Sequence, residues 1–199
     1  MHFKEQLNIT GHLQVFKVYP NRPEEMVFDD GNMIVSGMSA GLSHFFAGSG
    51  SLDIRDYQIE RFQAGSGGPH AGHTGDGTTS AIYALSAPIK AVSEYGGAAS
   101  QLFFSTNDQI TGQTIAAAVG PFAMIPFHKI TRIDNTSVRY TLILNEDAAN
   151  GATISEVGLF MKNPVNMATD ASLLVAYRDF TGIPKTSDFS LVFRWTINF

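Results

Sequence analysis

The chain has 199 residues, a net charge of −5 and no cysteine. Its length fits one large domain or two small ones. The missing thiols exclude disulfides, thiolate zinc sites and cysteine nucleophiles, and the acidic balance argues against nucleic acid, whose phosphates need clustered Lys and Arg.

Residues 9–18, ITGHLQVFKV, carry an imperfect period of two in Leu13, Val15, Phe16 and Val18, the pattern of a half-buried strand. Residues 19–31 hold two prolines and read as a turn-rich connection. Next come Ile34, Met38, Leu42, Phe45 and Phe46, spaced as one face of a helix. With Asn32 as N-cap and Gly48 as terminator, the pattern predicts an amphipathic helix over 32–47. Residues 54–64 read as extended. Residues 65–80, GSGGPHAGHTGDGTTS, hold glycine at 65, 67, 68, 72, 75 and 77 and no large apolar residue. They form a loop rather than a domain linker, because neither flank carries a complete core.

Residues 81–95 read as a short strand or irregular arm around Pro88. Beyond residue 100 strands dominate, with candidates at 101–105, 113–119, 121–134, 136–145, 153–161, 172–180 and 188–198. Asp134-Asn135 and Asn150-Gly151 are turn signals. In the last segment Phe189, Leu191, Phe193 and Trp195 fall on one face, so Trp195 is expected in the core. The whole reads as mainly β, a single antiparallel β-sandwich domain over 1–199 with one helix, an N-terminal arm at 1–8 and a long glycine-rich loop at 65–80.

Gly37-Met38-Ser39-Ala40-Gly41 fits G-x-S-x-G, the turn that exposes a nucleophilic serine in α/β-hydrolases. Asp108 and His128 would complete the Ser-Asp-His order, but the alternating β and α units of that fold are missing. The same residues also make a helix face with small side chains. His70, His73 and Asp76 offer imidazole and carboxylate groups that a flexible loop can bring to one divalent ion. A metal site usually needs a fourth ligand and a second shell, so a solvated polar loop is the preferred reading and no metal or other cofactor is expected. Arg132, Arg139, Arg178 and Arg194 lie in predicted strands and are expected to face outward and pair with acids. Glu24-Glu25 and Asp29-Asp30 are expected in solvated turns. No apolar run approaches the ~20 residues that span a bilayer, so no membrane partner is expected.

Four stretches carry a resemblance. They are Asp30-Gly31-Asn32-Met33-Ile34-Val35; Ile59 to Gly68; Tyr83, Leu85, Pro88, Tyr95 and Gly96; and a C-terminal series. That series runs through Ile154-Ser155-Glu156-Val157-Gly158-Leu159-Phe160, then Leu174 to Phe180 with Ile183-Pro184-Lys185, and closes on Leu191 to Phe199. In these the chain resembles small virion proteins of tailed bacteriophages, of the tail, baseplate or tail-fibre-attachment kind. The resemblance implies assembly rather than catalysis, a place in the virion, and other virion proteins and copies of itself as partners. A capsid decoration protein and a small hydrolase using Ser39 are the alternatives. The charged fraction of only 16% fits a surface hidden against neighbours. Val157, Leu159, Leu174, Ala176 and Phe180 are expected to point into the sandwich, and Glu156 and Lys185 to form a bridging pair. The 65–80 loop is the expected partner contact, through Gly65, Gly68, His70, His73 and Asp76.

Overall fold

A two-residue turn at Pro20-Asn21 folds the first apolar segment back on itself, pairing β1 (Thr10–Tyr19) with β2 (Arg22–Ile34). The computed structural model describes residues 8–47, 57–67, 85–89, 107–108, 113–114, 123–125, 127–161 and 172–199. The expected connection at 19–31 is therefore mostly strand. Both prolines sit where a strand tolerates them. Pro20 is in the turn, and Pro23 falls in a bulge where β2 carries one residue more than β1 between the pairs Lys17↔Glu25 and Tyr19↔Arg22.

The chain continues through α1 (Ser36–Ala47), β3 (Ile59–Gly65), β4 (Asn107–Asp108), β5 (Gln113–Thr114), β6 (Ala123–Met124) and a 3₁₀ turn at Phe127–Lys129. Then come β7 (Ile130–Arg132), β8 (Ser137–Leu144), β9 (Thr153–Met161), β10 (Leu173–Pro184) and β11 (Ser190–Asn198). The expected mainly-β, antiparallel fold with one helix is what the structure shows. Nine strands form one hydrogen-bonded sheet in the order β6-β3-β9-β10-β2-β1-β11-β8-β7, in place of two separate sandwich sheets. The sheet curls so that both halves share one core. Leu13, Tyr140, Leu142, Phe193 and Trp195 come from one half, and Phe62, Val157, Leu159 and Ala176 from the other.

β11 alternates as its sequence requires: Leu191, Phe193, Trp195 and Ile197 are all fully buried on the core face. β9 differs, since Ile154 to Met161 are buried throughout. It lies between β3 and β10, and a second apolar cluster, including Leu85, Phe160, Leu174 and Tyr177, covers its outer face. Leu174 belongs to that outer cluster, not to the main core. The ladder shifts between Leu174↔Phe160 and Ala176↔Leu159, so Val175 bulges and Leu174 is turned to the opposite face from Ala176. Phe180 packs partly buried against the main core.

Two turns are set by side chains. Asp134 accepts hydrogen bonds from the Thr136 N–H (2.7 Å) and hydroxyl (3.0 Å), which also hold its carboxyl below the usual range. In the β8–β9 connection Ala149 and Gly151 take left-handed φ values of 54° and 87°. There Lys185, 1% exposed, donates to Glu146 O (3.2 Å), Asn150 Oδ1 (3.2 Å) and Thr186 O (2.7 Å). Burial lowers its pKa. Lys185 thus closes a loop instead of pairing with Glu156.

The helix begins at Ser36, not Asn32, because Met33 and Ile34 pair with Tyr177 and Ala176 of β10 and stay extended. Gly48 lies outside the described residues. Met38 and Gly41 are buried and Leu42 half-buried, whereas Phe45 and Phe46 are exposed and stacked edge-on. Gly37 and Gly41, one helical turn apart, face the sheet. A Cβ at Gly37 would strike the Leu174 carbonyl, and one at Gly41 would strike the Met161 sulfur. The two glycines of the G-x-S-x-G pattern thus let the helix approach β9 and β10. Gly37→Ala should destabilise the fold by about 1–3 kcal/mol through overpacking against backbone, although alanine favours an isolated helix. Exposed Ser39→Ala should change stability by no more than about 0.5 kcal/mol. Urea midpoints of the two variants check this; equal midpoints would mean the helix sits farther from the sheet.

Candidate functional site

Glu156 is the one acid in the apolar stretch Ile154–Met161, and it is fully buried. β9 places it opposite Gly65 of β3 and Asp179 of β10. A carboxylate taken out of water must be met by donors, or its desolvation is uncompensated. Four donors meet this one. Oε1 accepts from the backbone N–H groups of Ala87 (2.7 Å) and Gly67 (3.1 Å), and Oε2 from the Ser86 N–H (2.9 Å) and the Tyr177 hydroxyl (3.2 Å). All four donate, matching the acceptor-only capacity of an ionised carboxylate. No lysine or arginine pairs with Glu156 among the described residues.

These contacts join two chain segments that are distant in sequence. Gly67 lies two residues past the end of β3, and Ser86-Ala87 lie next to Gly65 and Ser66. Around them Ser66 N donates to Ala87 O (3.0 Å), Ile89 N donates to Ala64 O (3.0 Å), and Gly65 bridges Pro88. The Ser155 hydroxyl donates to Gly67 O (2.5 Å). Gly67, Ser86 and Ala87 therefore meet at one buried carboxylate.

The clamp explains two of the glycines. A Cβ at Gly65 would come within 2.5 Å of Glu156 Oε1, and one at Gly67 would collide with the same oxygen. Gly65, expected to touch a partner, is buried against its own chain. Gly68, His70, His73 and Asp76 lie outside the described residues. Among the described residues no group of three or more His, Asp or Glu is placed to hold a metal ion. No helix among them is long and apolar enough to cross a membrane.

Ser39 is exposed inside α1, not on a strand-to-helix turn, and has no hydrogen-bonded base among the described residues. His128 is exposed in the 3₁₀ turn, and Asp108 lies in β4. Of the four strand arginines, Arg178 and Arg194 pair with acids as expected, whereas Arg132 and Arg139 bond neutral groups. Arg194 donates two hydrogen bonds to the Glu24 carboxylate (3.0 and 2.7 Å) and covers the Phe16 ring. Arg178 pairs with Asp30 (2.6 Å), Arg132 holds the 134–135 turn, and Arg139 reaches Thr196 (3.5 Å). Asp29 meets His12 and Gln14. The acids expected in solvated turns therefore lie along β2 and tie it to its neighbours. Neither protein-family models nor curated proteins nor solved structures gave a match to this chain.

Burial, reinforced by the charges of Glu156 and Asp179, raises the Tyr177 phenol well above its ordinary 10.0. The unfolded chain ionises near pH 10 while the folded chain holds the proton. The stability is therefore complete below that pH and falls as pH rises above it. Tyr177→Phe should flatten the alkaline decline, seen in urea midpoints between pH 9 and 11. Glu156→Ala strands one buried and two part-buried N–H groups and a phenol, and should cost about 3 kcal/mol. It should also speed amide exchange at Gly67, Ser86 and Ala87 ahead of the core strands. Unchanged exchange at those amides would show that the base holds without the carboxylate.

Proposed function

We propose that this chain is a structural component of a tailed-phage particle, placed in the tail as part of the baseplate or of a collar or fibre-attachment ring. It acts by binding neighbouring subunits, with copies of itself and other virion proteins as partners. The observation that supports this reading best is the buried Glu156 carboxylate at the base of residues 68–84. It ties Gly67 to Ser86 and Ala87 on a curled β body, which is how a scaffold anchors the two ends of a binding loop. The low charged fraction and the exposed Phe46 (76%) and Phe127 (85%) add apolar surface of the kind that neighbours cover. His70, His73 and Asp76 fall within the presented stretch and are the side chains assigned to the contact.

Mass spectrometry of gradient-purified particles should find the chain at fixed stoichiometry, and gold-labelled antibody should mark the tail and not the head. Deleting residues 70–82 should leave the unfolding midpoint of the body within about 1 kcal/mol of the parent, since the clamp and core remain, yet abolish incorporation. Absence from particles would overturn the proposal. So would a lasting monomer whose ester hydrolysis disappears in Ser39→Ala.

A further inference from the structure

A cavity of about 550 Å³ opens between α1, the start of β3 and the β7–β8 edge. That volume lies in the range of about 300–1,000 Å³ typical of small-molecule sites. Its walls are mainly apolar, with Met38, Leu42 and Met161 among them, and Phe127 and Phe199 stand exposed at its mouth. Tyr140 also lines it, is only 5% exposed, and its hydroxyl makes no hydrogen bond among the described residues. Directly across the ladder, Trp195 is fully buried and its Nε1 donor has no partner either. Of the two, the Trp195 donor is fully buried, and native interiors seldom leave such a group unmet, whereas the Tyr140 hydroxyl is a donor on the cavity wall. Among the described residues lining the cavity there is no lysine, arginine or histidine. The Glu60 carboxylate on the wall lies 4.0 Å from Arg61 Nε.

We propose that this cavity binds a neutral apolar molecule carrying one acceptor oxygen, of the ester, ketone or ether class, with that oxygen accepting the Tyr140 hydroxyl. A hydrocarbon side chain from a neighbouring subunit would fill the space but leave Tyr140 unpaired, and a carboxylate ligand would find no lysine, arginine or histidine among the described lining residues. Burial also raises the Tyr140 phenol above its ordinary value, so it stays a donor through the neutral range. The inference is independent of the role in a particle.

The full chain should enhance the fluorescence of the neutral probe N-phenyl-1-naphthylamine. Methyl decanoate should displace the probe, and decanoate should do so at least about tenfold less well. Tyr140→Phe should weaken methyl decanoate by roughly 3–10-fold, the worth of one hydrogen bond, and leave decane unchanged. Leu42→Trp, at a half-buried helix position, should fill the cavity and abolish uptake while circular dichroism stays native, which decides the matter if Tyr140→Phe does not fold. Four results overturn the proposal: no probe uptake, equal displacement by decanoate and its ester, equal effects of Tyr140→Phe on ester and decane, or uptake lost in step with self-association as protein concentration rises. The last would assign the cavity to a second copy.

Discussion

The carboxylate of Glu156 is the interaction on which the arrangement of the second half of the sheet depends. A buried charge without a cation demands several donors at once, and here they come from three separate places: the end of β3, the segment returning at 85–87, and β10. Meeting that demand fixes the register of β9 against both neighbours and holds Leu85 over its outer face. It also excludes any side chain at Gly65 or Gly67. Loss of one leg leaves the others unsatisfied, so the contacts form and fail together.

Much of this fold was legible because burial writes a period into strands. The alternation of β11 identified Trp195 as core, and the turn at Asp134-Asn135 placed the boundary of β8. What escaped notice depended on partners elsewhere in the chain. β2 looks like a loop because it holds Pro23 and four acids, yet most of it borders β10 only through side chains such as Arg178–Asp30 and Phe28–Phe180. A strand so placed tolerates a bulged proline and profits from charge. The helix start shifted because Met33 and Ile34 found strand partners, a non-local event that overrides a good cap at Asn32.

The clamp was half legible. A single acid inside Ile-Ser-Glu-Val-Gly-Leu-Phe must have partners, and that much follows from the residue types. The partners are mainly backbone N–H groups, which every residue but proline carries, so nothing in the sequence singles them out. Lys185 was the visible cation, but three carbonyl oxygens near the β8–β9 turn already occupy it. Gly37 and Gly41 gave the opposite problem. Their spacing matched a catalytic pattern, and the same spacing of one turn is what close helix–sheet packing requires.

β10 and β2 share two rungs of ladder, whereas β1 and β11 share nine. Tension drawn across the sheet is therefore carried unevenly, and inside the sheet, away from its short edge strands, this two-rung junction yields first. The body then behaves as two leaves on a weak spine: β3, β6, β9 and β10 swing as one, and β1, β2, β7, β8 and β11 as the other. What resists the opening is the apolar filling common to both leaves, because parting them wets Trp195 and Leu159 together. A molecule built this way is stiff within each leaf, compliant between them, and recloses when the load is removed, provided that the filling has not been lost.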